Sequence, residues 1–352
     1  MRVGLCLLTL VPGEIGGSET YVRALTRALA TSGSLDYTAF VSPLARDAAD
    51  GLPTEVVEEY RTGRTASARA RALAVATLRP GSLRRRLAGL DTVHFPLTVP
   101  VPRPDARVAL TLHDVQHLDL PELFSRPERT YRRVAYDGPA RRADAVIVVS
   151  EFVKGRAVDR LGLEPARVHV VRLGVDRDRF HAGEGGREPI LLYPARAWPH
   201  KNHARLLEAF ALLRRRRPEL GLVLTGGGHE RTRLPDGVEA RGNVGLDELA
   251  GLYRRASCLV FPSLYEGFGL PPLEAMASGC PVAASDLPAI REVCGDAAVL
   301  FDPHDPEAIA DGVARALDAG DALRQRGLER AATFTWEACA LGHEAVYRTL
   351  AT

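Results

Sequence analysis

The stretch CLVFPSLYEGFGLPPLEAMAS, residues 258–278, decides how the rest of this chain is read. It opens with an apolar run of strand length, Cys258 to Phe261, and closes with a helix running from Leu270 to Ser278. Between them lie Gly267 and Gly269, which let the backbone approach a ligand closely. Amides left over at the start of a helix form a ready anion site. Strand, glycine loop and helix in this order therefore place an anion at the carboxyl end of a strand. Two carboxylates flank that position, Glu266 just before the helix and Glu274 about a turn inside it. A carboxylate repels phosphate, so both are better suited to accepting hydrogen bonds from sugar and ribose hydroxyls. For Glu274 the alternative is a partner for the helix dipole.

Outward from this stretch the same alternation continues. Strands are predicted at 2–10, 37–41, 92–95, 107–112, 145–149 and 168–172, then at 190–193, 220–225, 238–240, 258–261, 282–284 and 298–301. Helices are predicted between them, at 18–30, 129–142, 204–216, 248–255 and 306–319. Such alternation implies parallel sheets covered on both faces. It breaks once, in the glycine-rich, charged segment from Gly174-Val175-Asp176 to Gly183-Glu184-Gly185-Gly186. The expectation is an α/β protein of two doubly wound domains, 1–173 and 188–334, joined by a linker at 174–187. A final helix within 335–352 is expected to pack back toward the first domain. Open α/β sheets bind ligands at the carboxyl ends of their strands, and two in tandem are expected to hold the ligand in the cleft between them. Neither G-x-x-x-x-G-K-[ST] nor G-x-G-x-x-G occurs, which excludes a P-loop and argues against a dinucleotide-dependent dehydrogenase.

Composition narrows the classes further. With 46% hydrophobic and 26% charged residues over 352 positions, the chain is an ordinary globular protein of about two domains. No apolar run is long enough to span a bilayer, and the apolar start at 3–11 reads as a core strand, not a signal peptide. Five scattered cysteines without a C-x-x-C pair argue against a zinc site or disulfide framework and favour a reducing cytosol. Only Lys154 and Lys201 interrupt an otherwise all-arginine set of 46 basic residues, so a retained lysine suggests a position that needs a compact point charge. Residues 1–175 carry a net +6 and residues 176–352 a net −4. The basic excess concentrates in 61–90, with eight arginines and no acid. That stretch reads either as a surface for anionic lipid or an acidic acceptor, or as a solvated helix. No nucleic-acid partner is implied.

The Glu-x7-Glu block resembles the donor-binding motif of retaining GT-B glycosyltransferases, especially glycosyltransferase family 4. Other positions agree in order along nearly the whole chain: Gly16-Gly17-Ser18-Glu19 after the first strand, His113-Asp114 at a strand end, Ser150-Glu151-Phe152, the Gly174-Val175-Asp176…Phe180 linker, and Arg196 with Lys201. The resemblance implies a GT-B fold, two Rossmann-like domains facing a central cleft. It also implies that Arg196 and Lys201 neutralise the departing diphosphate, that amides near Gly267, Phe268, Gly269 and Leu270 hold it, and that Glu274 binds the ribose. Glu266 then takes the hydroxyls of the transferred sugar, and His113 contacts that sugar near the reacting carbon. Gly16 and Gly17 close over the phosphates, and the 241–244 segment ending in Val244 borders the nucleobase. Asp176-Arg177-Asp178 spells a D-x-D but falls in the linker motif, so no metal is expected.

Two departures stand out: Ala195 and Asn202 occupy positions where the family usually has glycine. Thr225-Gly226-Gly227-Gly228 also lacks the acid often found in that loop. The variant Pro199-His200-Lys201-Asn202-His203 is similar to a mannosyltransferase-like branch that often uses GDP-mannose. The expectation is thus a cytoplasmic, metal-independent, retaining hexosyltransferase with no cofactor beyond its nucleotide-diphosphate sugar. Its acceptor would be a glycan, a lipid-linked sugar or a small molecule, and peripheral attachment at the inner face of the plasma membrane through 61–90 is part of that picture. A sugar-nucleotide epimerase and a non-catalytic nucleotide-sugar-binding partner are the alternatives.

Overall fold

In the computed structural model, which describes residues 1–14, 16–228 and 234–351, the chain divides into two units. One comprises Met1–Gly174 with Trp336–Thr352, the other Val175–Thr335.

The first unit runs β1 (Arg2–Cys6), α1 (Gly17–Ser32), β2 (Asp36–Val41), β3 (Thr54–Val56), α2 (Ala66–Leu78), α3 (Gly81–Arg86) and β4 (Thr92–Phe95). It continues through β5 (Arg107–Leu112), α4 (Gln116–Asp119), α5 (Arg126–Arg132), α6 (Gly138–Arg142), β6 (Ala145–Val148), α7 (Glu151–Leu161) and β7 (Val168–Val170). The second unit has β8 (Glu188–Pro194), α8 (His203–Arg216), β9 (Gly221–Thr225), β10 (Val238–Ala240), α9 (Leu246–Arg255) and β11 (Ala256–Phe261). Then come α10 (Leu270–Ala277), β12 (Val282–Ser285), α11 (Pro288–Cys294), β13 (Val299–Phe301), α12 (Pro306–Asp318) and α13 (Gly320–Ala331), after which α14 (Trp336–Thr349) returns to the first unit.

Every strand pairing is parallel, in the orders β3-β2-β1-β4-β5-β6-β7 and β10-β9-β8-β11-β12-β13. The central strands are buried on both faces, as the uninterrupted apolar runs Ala145–Val148 and Cys258–Phe261 require. In each sheet the chain starts in the middle, fills one edge and then crosses over to the other side. The crossovers fall between β1 and β4 and between β8 and β11, and open α/β sheets bind their ligands at such points, at the carboxyl ends of the strands.

Local expectations depart from this architecture in three places. The first strand ends at Cys6, although Leu7, Leu8, Leu10 and Val11 are all buried. Leu10 N–H donates to the Leu7 carbonyl at 3.0 Å, closing a turn beneath the core, so apolarity there marked burial and not extension. The helix expected over 129–142 is present but not uniform: α5 continues through a π-helical segment at Arg133–Asp137 into α6. Pro139 brings no N–H to the ladder, and the extra residue of the π segment accommodates it while turning Asp137 inward onto His117 at 2.8 Å. The edge strand β3 has a half-exposed, mixed sequence, Thr-Glu-Val, with no alternation to detect.

The C-terminal α14 lies against α1 and buries Cys339, Ala340, His343, Glu344, Val346 and Tyr347. Glu344 is a charged anchor there. It accepts from Ser34 N at 2.7 Å and Tyr37 Oη at 2.8 Å, and pairs with Arg348. Against the burial that would raise it, hydrogen bonds from Ser34, Arg348 and Tyr37 hold its carboxyl down at about 2.

Candidate functional site

In the second unit the site grows out of the β8/β11 crossover. β8 and β11 are hydrogen-bonded neighbours, so the loops leaving their carboxyl ends emerge side by side. After β8 the chain makes a short turn at Pro199–Lys201, with Lys201 N–H on the Trp198 carbonyl at 2.9 Å. The loop after β11 is stitched to it by Leu264 N–H on the His200 carbonyl at 2.7 Å, and Tyr193 Oη donates to the Lys201 carbonyl at 2.6 Å. The result is an ion pair across the two loops: Lys201 Nζ lies 2.5 Å from Glu266 Oε1, both side chains nearly buried. Arg196 is half-buried on the same β8 loop, its guanidinium 5.9 Å from the Trp198 ring.

Asn202 explains how a glycine position can be filled by another residue. Its φ is +60°, in the left-handed region that asparagine tolerates better than most side chains. Its amide then repays the conformation by donating to the carbonyls of Pro262 at 3.0 Å and Pro303 at 2.7 Å. Ala195 is tolerated for a different reason. The close approach there is made by Gly226, whose φ is +102° and whose hypothetical Cβ would lie 2.7 Å from the Ala195 carbonyl carbon.

Gly269 caps α10 at φ +117°, and a Cβ there would meet Ile290 Cδ1 at 2.8 Å. Pro271 and Pro272 follow Leu270, so the first turn of α10 offers the Leu270 amide but none from the next two residues. The donors available to an anion are thus concentrated in Phe268, Gly269 and Leu270. Phe268 contributes only backbone, since its ring is buried against Phe334 at 6.0 Å. Glu274, buried one turn further on, accepts from Tyr253 Oη at 3.1 Å. Burial pushes its carboxyl up to about 7, the Tyr253 hydrogen bond opposing this. Val244 is half-buried beside Gly242, whose carbonyl accepts from Gly226 N at 2.6 Å.

The D-x-D is structural in its first member: Asp176 accepts from Arg179 Nη1 at 3.1 Å and caps Arg179 N at 3.3 Å. Among the described residues no cluster of His, Cys, Asp and Glu has the makings of a metal site. Thr225-Gly226-Gly227-Gly228 runs into residues 229–233, which lie outside the described residues.

The first unit presents its own set at the ends of β1, β4 and β5. Gly16 has φ +55° and ψ −129°, a backbone state that only glycine adopts without strain. Glu19 ties that loop to α1 by accepting from Gly13 N at 2.7 Å. Gly17 is the first residue of α1, and Ile15 lies outside the described residues. His113 directly follows β5. Its Nε2 donates to the Pro96 carbonyl at 2.9 Å, its ring meets the edge of Tyr21 at 5.0 Å, and burial lowers its pKa. With Nε2 committed to a carbonyl, the neutral ring keeps its lone pair on Nδ1.

Sequence reasoning overlooked Thr98, Tyr21 and Tyr253. Thr98 is a buried, β-branched residue at φ +68°, a strain of order 1–3 kcal/mol. Its hydroxyl donates to the Thr111 carbonyl at 2.7 Å, which fixes the loop that presents the Pro96 carbonyl. No sequence signal marks a strained threonine. Tyr253 could have been found as the polar-tipped member of the apolar stripe on α9.

Two family models match this chain: Glycosyltransferase Family 4 over residues 15–179 and Glycosyl transferases group 1 over residues 175–333. The chain is 30% identical over 259 residues to O-antigen chain mannosyltransferase B of Escherichia coli, covering 66% of this chain and 68% of that one. It is 32% identical over 273 residues to the D-inositol 3-phosphate glycosyltransferase of Salinispora tropica, covering 66% of this chain and 56% of that one. The matches therefore span between roughly half and two thirds of these curated relatives. Among solved structures, sucrose-phosphate synthase from Thermosynechococcus elongatus superposes with a TM-score of 0.78 at 23% identity, covering 99% of both chains.

Proposed function

Since this chain belongs to the family 4-like GT-B glycosyltransferases, we propose that it transfers a hexose, with retention and without a metal, from a nucleotide-diphosphate sugar to an acceptor hydroxyl. The observation that carries this is the Lys201–Glu266 pair, 2.5 Å apart, beside the start of α10. Phosphate affinity comes from Lys201, Arg196 and the Phe268–Leu270 amides, and hydroxyl affinity from Glu266 and Glu274, on adjoining loops. In the reaction, the bond between the sugar's anomeric carbon and the diphosphate breaks and the bond to the acceptor oxygen forms on the same face. The acceptor's proton passes to the departing phosphate oxygen. Negative charge grows on that diphosphate, and a positive field already in place stabilises it. His113 Nδ1 suits a donor-sugar hydroxyl.

Mannose from GDP-mannose is the favoured donor, supported by the Pro199–His203 variant and by mannosyltransferases among the relatives. The acceptor is a glycan, a lipid-linked sugar or a small molecule, and the inositol-phosphate glycosyltransferase relative keeps the last in view. We place the enzyme in the cytoplasm, a reading supported by five free, buried cysteines. Peripheral membrane attachment through 61–90 is supported by its outward arginines. Incubation with labelled GDP-mannose, UDP-glucose and UDP-N-acetylglucosamine, with and without an acceptor mixture and EDTA, tests the reading. Acceptor-dependent transfer unaffected by EDTA is expected. Change of the donor alone would point to an epimerase, no change to a binding protein, and restoration of activity by Mg²⁺ would overturn metal independence.

A further inference from the structure

Behind His113 runs a buried chain of hydrogen bonds that the reaction outlined above does not use. His343 Nδ1 lies 2.8 Å from the Cys339 carbonyl and therefore carries a proton. In the neutral ring Nε2 is then an acceptor, and Tyr21 Oη, 2.8 Å away, donates to it. Tyr21 has no second hydrogen, so at 2.9 Å it accepts from Thr111 Oγ1. Thr111 in turn accepts from His94 Nε2 at 2.8 Å, leaving His94 Nδ1 to accept from Tyr347 Oη at 2.8 Å. One orientation satisfies every link. The chain joins α14, α1, β5 and β4, elements that contribute residues more than 300 positions apart in sequence. Burial keeps both histidines neutral, lowering His343 to about 4 and holding His94 well below the usual imidazole range.

We propose that Tyr21, Thr111 and His343 are positioning residues for His113, fixing its imidazole through this one-way chain. The Tyr21 ring sets the plane of His113, meeting it edge-on at an interplanar angle of 81°. The Tyr21 hydroxyl, held between His343 and Thr111, fixes where that ring stands. Thr111 precedes His113 by two residues, and its carbonyl is gripped by Thr98. The helix that follows the second unit thereby sets the geometry of a group in the first. The groups facing His113 are Tyr21 of α1, the Pro96 carbonyl, His94 of β4, Asp114 and His343 of α14. The functional consequence rests on the reading of His113 as a donor-sugar contact.

Tyr21→Phe keeps the ring and cuts the chain. Long-range ¹H–¹⁵N spectra of the His113 ring, recorded on the full chain without donor, should show one Nε2–H tautomer in the parent protein. In Tyr21→Phe the signal should move toward a tautomer mixture, with the titration shifting upward as α1 loosens. With donor and acceptor, kcat should fall roughly 10- to 100-fold with KM for donor little changed. His343→Gln, whose amide oxygen can accept from Tyr21, should restore most of the parent behaviour, while His343→Leu should not. Tyr37→Phe removes a buried hydrogen bond to the same helix, on Glu344, outside the chain. It should leave the His113 spectrum and kcat unchanged. An unaltered His113 spectrum in both Tyr21→Phe and His343→Leu, or the same change in Tyr37→Phe, would overturn the proposal. A perturbed His113 with unchanged kcat would leave the positioning intact and instead remove His113 from the reaction.

Discussion

Lys201 and Glu266 illustrate how much a single contact can decide. Both side chains are about seven-eighths buried, at 14% and 13% exposure, so neither charge is tolerable alone. Under the proposed mechanism Lys201→Ala therefore has two effects: loss of leaving-group stabilisation and a carboxylate left without its cation. We expect kcat/KM to fall about 10²–10³-fold, with a drop in thermal stability that a surface ion pair would not produce. Lys201→Arg should recover stability better than rate, since guanidinium fills the charge but not the geometry. Full activity in both variants, measured under subsaturating donor, would remove Lys201 from the mechanism. The value of this lysine was legible in the sequence, because it is one of only two. That Glu266, itself marked out by the sequence, is its partner was not, because 65 residues separate them.

At the scale of elements, the arginine-rich stretch divides into two helices with different roles. In α3, Arg86 is bound to Glu55 and Glu59, and Arg84 Nε donates to the Arg103 carbonyl at 2.9 Å. In α2 only Ala72 and Ala76 are buried, while Val75 and Leu78 are 49% and 80% exposed alongside Arg71 and Arg79. A membrane surface attracts each nearby arginine by about 1 kcal/mol, and exposed Leu78 adds an apolar contact. Arg71, Arg79 and Arg85→Ser should therefore abolish co-flotation with vesicles containing anionic lipid while leaving the fold intact. Equal recovery of the parent on neutral and anionic vesicles would leave α2 as a solvated helix. Arg86 is unsuitable for this test, since its replacement strips two acids of their partner.

Across the whole molecule, two buried groups tilt stability in opposite directions with pH. Glu274, raised to about 7, binds its proton more tightly folded than unfolded, so stability is lost as pH rises from about 4.5 to 7. Glu274→Gln should stabilise the protein at pH 8, by up to about 3 kcal/mol, and do nothing at pH 4.5. Its cost should appear as weaker donor binding. His343, lowered to about 4, contributes stability that is complete above pH 6.5 and lost as pH falls toward 4. His343→Gln should flatten that acid limb. Thermal unfolding across pH 4–8 measures both, and parallel curves for parent and variants would contradict the assignments.

Much of this protein was decided locally and could be read locally. Alternating apolar runs and helices specify parallel sheets, because a strand buried on both faces needs continuous apolar sequence and a helical crossover. Glycines at 16 and 269 mark backbone states that other residues strain to adopt, and the Glu266–Glu274 spacing follows from one loop and one helix turn. The π segment was hidden because Pro139 marks a perturbed helix without fixing its form, and the contact made there, Asp137 on His117, spans 20 residues. Strand 2–10 was overextended because hydrophobicity reports burial and is blind to direction. Tertiary structure alone decided which charges meet, how Asn202 satisfies a glycine position, and that Tyr21, Thr111 and His343 stand behind His113. Each of these depends on side chains converging from separate elements, and no periodicity or spacing records such convergence.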